Sequence, residues 1–501
     1  MSSLVDYLDK GASLGRDAPC LVEGAQTVSY GEVQDLSWSV AGALSAAGVR
    51  PGDKVGILSA NNARAFACVF GIARLGAVWC PINPRNETAE NRALLELFDC
   101  DCLLYHSAYE AMVREIPLRV AVCLDRDDEF VDWLSQRDPV EPSDPPEDLA
   151  MLVGTGGTTG LPKGVMLTAR NLETMTALTL MGYPFAGRPA YLALAPLTHA
   201  AGVLCFPVLA LGGRIVVMPK PDLGAFLELI ERERITHTFL PPTLIYMLLG
   251  HARVHETDFS SLQCFWYGAA PMSVARLAEA LVVIGPVMAQ LFGQSEAPMM
   301  VSMLPPAEHF DSSGNVATRR LASAGRPSPL VQVAIMDADG HVLGTGERGE
   351  IVVRGSLVMA GYYKDPEATA QASRFGWHHT GDVGYLDDEG YLFIVDRLKD
   401  MIITGGFNVY SAEVEQALMQ HPAVRDCAVI GLPDEKWGER VEAVVELKPG
   451  VETSVPELIG FVKERIGSVK APKAIAIWTE LPRSRVGKVL KTEVRTSLLG
   501  G

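Results

Sequence analysis

Apolar and polar positions alternate with two different periods along this chain, and the switches between them mark out its elements. Near the start, LSWSVAGALSAAGV repeats its apolar residues at helical spacing, DKVGILSA is a short β-rich run, NARAFACVFGIARLG is helical again, and AVWCPI reads as a strand. Helices alternating with short apolar strands predict βαβ units and a largely parallel sheet covered on both faces. The rhythm returns in GGRIVVMP, LGAFLELIERERI, THTFLPP and TLIYMLLG, so the body holds at least two α/β modules. One uncharged stretch, residues 192–213, is long enough to span a membrane, but Pro196, His199, Pro207 and the Gly212-Gly213 pair break it. It is expected to form short buried pieces.

From about residue 331 the texture changes to short strands. VQVAIMDADGHVL, RGEIVVRG and WHHTGDVGYLDDEGYLFIVDR carry D-A-D-G and D-D-E-G at hairpin turns and predict a small antiparallel sheet or barrel. After DRLKD at 396–400 come a helix (SAEVEQALMQH), two strands (RDCAVIGL, ERVEAVVEL), a helix (VPELIGFVKERIG) and a strand (KAIAIWTEL). The expected fold class is α/β. A large N-terminal domain over residues 1–397 has two α/β subdomains plus a small antiparallel β-barrel, and an α+β C-terminal domain covers 398–501. Residues 305–320 read as a polar loop.

Composition narrows the function classes. With 43 Lys+Arg against 60 Asp+Glu, the net charge of −17 gives no electrostatic reason to bind nucleic acid or an anionic membrane. The nine cysteines lie mostly inside apolar stretches, without a C-x-x-C pair or zinc-like His spacing, and are expected to be buried, reduced thiols. No basic leader with an apolar core is visible at the N-terminus, so the expected location is cytoplasmic.

The most informative stretch is GTGGTTGLPKG at 154–164. Its glycines leave backbone amides free to close on an anion, Thr155, Thr158 and Thr159 add hydroxyl donors, and Lys163 adds a cation, which together suit a triphosphate. It is neither G-x-x-x-x-G-K-[ST] nor G-x-G-x-x-G.

That loop is followed in order by PLTHAAG (196–202), YGAAP (267–271), LFGQSE (291–296), TGD (380–382), DRLKDMIITGG (396–406) and PRSRVGK (482–488). In this the chain resembles, from about residue 25 to 495, the ATP-dependent adenylate-forming enzymes: acyl-CoA synthetases, luciferases and the adenylation domains of peptide synthetases. The resemblance implies that a carboxylic acid attacks the α-phosphate of ATP to give an acyl-adenylate and pyrophosphate, and that a thiol, normally of coenzyme A, then displaces AMP. Such chemistry needs positioning and charge stabilisation more than a protein nucleophile.

Residue by residue, Lys488 matches the family's catalytic lysine, which bridges the carboxylate and the α-phosphate. Glu296 matches the glutamate that holds Mg²⁺ against the phosphates, a hard oxygen ligand for a hard ion. The phosphate loop corresponds to Thr155, Gly156, Gly157, Thr158, Thr159, Gly160 and Lys163. Gly268, Ala269 and Ala270 match the small-residue strip along the adenine. Phe292 stands where a tyrosine is usual, Gly293 follows it, and Ser295 stands where threonine is usual. Asp382 resembles the acceptor of both ribose hydroxyls, and Arg397 a cation near ribose and phosphate. Lys399 falls at the hinge about which the C-terminal domain rotates between half-reactions, making that domain mobile, and Gly405 and Gly406 would then line the pantetheine tunnel. His199 takes the position of a gate between acid and ATP. The acid pocket would be lined by Leu178, His199, Ala200, Ala201, Leu291, Gly293 and Met299. One departure stands out: the usual aromatic-Thr-Ser-Gly run is Gly154-Thr155-Gly156-Gly157, which loses a ring and a hydroxyl.

The pocket list is apolar and without Arg or Lys, so the expected substrate is a hydrophobic monocarboxylate, fatty or aryl/alicyclic, rather than a malonate-like acid. The expected activity is ATP-dependent carboxylate:CoA ligation, with an acyl-AMP ligase or adenylation enzyme that delivers to a carrier protein as the alternative. A luciferase would share the motifs; amino-acid activation lacks its aspartate at PLTHAAG. No metal beyond Mg²⁺ is expected. The oligomeric state stays open, a homodimer among the options.

Overall fold

The computed structural model describes residues 3–141, 148–155, 163–197, 200–483 and 489–499. The chain folds as two compact units: Met1–Met272, Arg276–Gln332 and Val353–His378 form the first, and Ser273–Ala275, Val333–Val352 and His379–Gly501 the second. The second unit therefore begins before the boundary near residue 398 drawn from the sequence, because it includes strands of the expected barrel.

Two large mixed sheets build the first unit. The seven-stranded one has Val78–Ile82, Lys54–Leu58, Cys102–Tyr105 and Val120–Cys123 in parallel. All five residues of Val78–Ile82 are buried, as a strand covered on both faces requires. The helix Ala63–Arg74 starts at Asn62, whose side chain accepts the Ala65 N–H at 2.9 Å. Leu149–Thr155 joins this sheet in parallel, and Lys163–Thr168 and then Gly361–Tyr362 extend it antiparallel. The nine-stranded sheet has Ala190–Ala193, Arg214–Val217, His237–Leu240, Cys264–Gly268 and Met288–Gln294 in parallel at its centre, with Ala297–Leu304 antiparallel beside them. The long uncharged stretch becomes the end of Ala190–Ala193 and two short helices, Ala200–Val203 and Cys205–Ala210. Among the described residues no helix is long and apolar enough to cross a membrane.

In the second unit the expected barrel takes the form of a four-stranded sheet made by Gln332–Met336, Gly349–Arg354, His378–Leu386 and Leu392–Arg397, in that order. Its D-A-D-G turn is an Asx turn, in which Asp337 Oδ1 accepts N–H groups from Asp339 and His341 at 2.9 and 2.8 Å. The C-terminal part is a five-stranded sheet packed on the helices Ser411–Met419 and Val455–Ile466 through Val414, Leu418, Val429, Val445, Leu458 and Val462. Two features lie outside the sequence reading: the strand pair Ile402–Thr404 and Phe407–Val409, and a last helix, Lys491–Leu499. Lys491 fastens that helix, its ammonium 2.7 Å from Glu415 Oε1 and donating to Ser411 Oγ at 2.6 Å.

All nine cysteines are buried thiols with no disulfide among them. Burial pushes the thiol pKa up at Cys20, Cys205, Cys264 and Cys427, and up to about 12 at Cys68.

Candidate active site

The glycine- and threonine-rich loop is the connection of a β-hairpin. Leu149–Thr155 and Lys163–Thr168 run antiparallel, Thr155 stands opposite Lys163, and Thr155 Oγ1 donates to the Lys163 carbonyl at 3.4 Å. Gly156, Gly157, Thr158, Thr159 and Gly160 lie outside the described residues, as do His199 and Lys488. Thr155 and the exposed Lys163 thus mark the two ends of the loop.

Glu296 sits in a two-residue turn, for Gln294 at the end of Met288–Gln294 pairs directly with Ala297. Its backbone carbonyl accepts the Met359 N–H at 2.8 Å, and its Oε1 accepts the Tyr362 hydroxyl at 2.9 Å. Burial and the adjacent Glu296 carboxylate push the Tyr362 phenol well above its ordinary range, which keeps it a donor. Lys163 Nζ lies 4.8 Å from the Tyr362 ring centroid. The structure thereby brings Lys163 and Glu296 to one tyrosine that the sequence reading passed over.

The residues expected along the adenine, Gly268 to Ala270, leave the end of Cys264–Gly268, where Gly268 pairs with Leu291 of the next strand. A Cβ on Gly268 would meet the Leu291 carbonyl oxygen at 2.3 Å, so glycine is required by strand packing as well as by any base lying above. Ala269 is exposed and holds a left-handed backbone with φ of 65°, a strained conformation of the kind that clusters at functional sites. Tyr267, one residue earlier, donates its hydroxyl to His309 Nε2 at 2.9 Å, and His309 Nδ1–H donates to the Pro305 carbonyl at 3.0 Å. Burial lowers the His309 pKa to about 4, so the imidazole is neutral. Phe292 and Ser295 are half-buried. Gly293 lies where a Cβ would be 2.4 Å from the Met299 backbone nitrogen, which brings the end of the Phe292 strand against Met299.

Of the residues expected to line the acid pocket, Leu178 is fully buried on the helix Ala169–Gly182, Leu291 is buried on its strand, and Met299 is buried with φ of 62°. Ala200 and Ala201 lie in the short helix Ala200–Val203. The same helix Ala169–Gly182 meets the strand Ala297–Leu304, since a Cβ on Gly182 would strike Met303 Sδ at 2.1 Å. These residues are apolar by identity.

A second set of predicted residues lies in the second unit. The antiparallel strands His378–Leu386 and Leu392–Arg397 set Asp382 directly opposite Arg397, with Arg397 Nε 2.6 Å from Asp382 Oδ1. Asp382 is buried, and its N–H donates to Thr380 Oγ1 at 3.1 Å. The loop is further anchored by Glu350, which accepts the Gly381 N–H at 3.0 Å and sits 2.7 Å from His379 Nδ1. His379 thus belongs to the scaffold of TGD, and the adjacent His378 is buried. Lys399 is exposed on the turn Leu398–Asp400. Gly405 and Gly406 are the two turn residues between Thr404 and Phe407, with φ of 56° and 81°, the left-handed pair that a tight type I′ hairpin demands.

Comparison with known proteins places this geometry. Residues 8–363 match the AMP-binding enzyme family, and residues 413–488 match the AMP-binding enzyme C-terminal domain. The chain is 37% identical over 494 residues to a feruloyl-CoA synthase of Amycolatopsis sp, covering 97% of this chain and 96% of that enzyme. It is 43% identical over 364 residues to the medium/long-chain-fatty-acid–CoA ligase FadD8 of Mycobacterium tuberculosis, a match to 71% of this chain that spans 62% of that protein. Among solved structures, an amide bond synthetase, McbA, from Marinactinospora thermotolerans superposes with a TM-score of 0.90 at 32% identity, covering 99% of both chains.

Proposed function

As a member of the AMP-binding enzyme family the chain is an ATP-dependent acid:CoA ligase, and we propose that its acid is a hydrophobic monocarboxylate, fatty or aryl/alicyclic. The observation that carries this reading is the burial of Leu178, Leu291 and Met299, the apolar residues assigned to the acid pocket. A second carboxylate on the substrate would be desolvated against them without a partner. The feruloyl-CoA synthase and FadD8, named for an aryl and a fatty acid, support the same class.

In the reaction a carboxylate oxygen attacks the α-phosphorus of ATP, and pyrophosphate leaves. The thiol sulfur of CoA then attacks the acyl carbonyl carbon, and AMP leaves. We assign Lys163 and the backbone of the loop it closes to the phosphates, Phe292 and the Gly268-Ala269-Ala270 strip to adenine, and Asp382 to the ribose hydroxyls with Arg397 beside it. Glu296 offers a hard carboxylate oxygen held by a neutral donor, a fit for Mg²⁺, which would supply charge neutralisation to the phosphates. Lys488 bridges carboxylate and α-phosphate, and His199 lines the entrance to the acid pocket. Lys399 serves as the hinge of residues 398–501, so that the Gly405-Gly406 turn serves the thiol half-reaction. The nine buried thiols support a reducing, cytoplasmic setting.

The test is release of AMP and pyrophosphate across a panel of fatty and aryl acids, with and without CoA. Turnover with malonate-like acids but not with hydrophobic ones would reject the proposed class. A carrier-protein acceptor is the second reading, favoured by a match at 32% identity to a fatty acid–[acyl-carrier-protein] ligase, ScoC, of Streptomyces coeruleorubidus. Pyrophosphate release with no thioester formed on CoA, and AMP release only when a carrier protein supplies the thiol, would select it.

A further inference from the structure

Two residues assigned to the phosphates come from different sheets of the first unit. Lys163 opens a strand of the seven-stranded sheet, and Glu296 turns between two strands of the nine-stranded one. Nothing in either strand fixes the spacing between an ammonium and a carboxylate carried on separate sheets. Tyr362 touches both, with its hydroxyl 2.9 Å from Glu296 Oε1 and its ring face 4.8 Å from Lys163 Nζ.

The tyrosine is itself held in place. Tyr362 pairs with Val165, two residues beyond Lys163 on the adjacent strand, and its N–H donates to Thr369 Oγ1 at 2.8 Å. On either side, Ala360 N–H donates to the Met166 carbonyl at 3.0 Å and Tyr363 N–H to that of Gly164 at 2.7 Å. The Asn171 amide donates to the carbonyls of Ser356 and Val358 at 2.9 and 2.7 Å, and Met359 N–H reaches the Glu296 carbonyl. The segment 356–363 is therefore a strap bonded to both the Lys163 strand and the Glu296 turn.

We propose that Tyr362 is a positioning residue that orients the Glu296 carboxylate for the metal–nucleotide complex and couples it to Lys163, an inference that rests on the phosphate-site reading above. The chemistry suits the task. A phenol orients the carboxylate through one directional bond and leaves its full negative charge for a divalent cation, whereas a lysine or arginine there would neutralise it. The ring face steadies the lysine ammonium without offering it a competing anion.

The two contacts separate by substitution. Tyr362→Phe removes only the hydroxyl, and Tyr362→Leu removes the ring face as well. With the full chain and Mn²⁺ as the probe cation, calorimetric titration of ATP should show that Tyr362→Phe raises the half-saturating Mn²⁺ about fivefold to tenfold, while metal-free ATP binding and the KM for the acid stay at wild-type values. Tyr362→Leu should in addition weaken metal-free ATP binding. Added to Glu296→Gln, the Phe substitution should have no further effect on the Mn²⁺ dependence. If Glu296→Gln shifts that dependence and Tyr362→Phe does not, the inference is overturned while the site reading stands. If Glu296→Gln leaves it unmoved, both fall together.

Discussion

The Asn61 side chain grips the backbone that leads to Leu197: its Oδ1 accepts the Leu197 N–H at 2.8 Å, and its Nδ2 donates to the carbonyls of Ala195 and Leu194 at 3.1 and 3.2 Å. One amide thus fixes the path of a segment that ends two residues before His199. Asn61→Ala should cost on the order of 2 kcal/mol in urea unfolding by leaving those backbone groups unsatisfied. In steady-state assays it should raise the KM for the acid severalfold and leave that for ATP unchanged; a change in the ATP value alone would disconnect this segment from the acid pocket.

Neighbouring positions at the end of Cys264–Gly268 should respond in opposite ways. Gly268→Ala drives a methyl into the Leu291 carbonyl and should weaken ATP binding at least tenfold or prevent folding. Ala269→Gly relaxes a left-handed backbone and should be tolerated to within about 1 kcal/mol. Melting temperatures with and without ATP distinguish the two.

Asp382 and Arg397 form a pair on facing strands in which only the acid is buried. Asp382→Ala should raise the KM for ATP by about tenfold or more, through loss of the ribose acceptor and release of the arginine. Arg397→Gln should do so by less, since the carboxylate survives. An equal rise in both would mean that the pair acts on the nucleotide through Arg397.

Two buried imidazoles predict an acid-side loss of stability. Burial lowers the pKa of His237 and His309 to about 4, against an ordinary 6.5, and each ring is satisfied as a neutral group. Below pH 6.5 the unfolded chain takes up protons that the folded one refuses, so this contribution is complete above pH 6.5 and is lost as pH falls toward 4. By pH 5 each histidine should cost on the order of 2 kcal/mol. Urea midpoints between pH 7.5 and 5 should fall accordingly, and His309→Gln should flatten the profile; an unchanged slope in that variant would assign the loss to other groups.

What the sequence disclosed follows the strength of local signals. Helix Ala63–Arg74 was legible as a long apolar run of helix-forming residues, buried at every position but Arg64, and strand Val78–Ile82 as a short run buried without a break. Helix Lys491–Leu499 was not, since Val494 is its one buried residue and gives no stripe to read. The pair Ile402–Thr404 and Phe407–Val409 has three residues per strand, too few for a period. The motif residues Asp382, Arg397 and Glu296 were singled out by their order in the chain. Tyr362 and Asn61 were missed because their meaning lies in contacts across 66 and more than 130 positions, where no neighbouring residue announces them.

The buried cysteines also bear on the chemistry. An acyl-adenylate is a mixed anhydride that any accessible thiolate would intercept, and this ligase makes one in order to hand it to a sulfur. Because all nine of its own cysteine thiols are shut inside the fold, the protein carries no surface thiol of the kind this intermediate seeks. It should therefore survive many turnovers without acylating its own cysteines, and the incoming thiol meets no rival thiol from the chain.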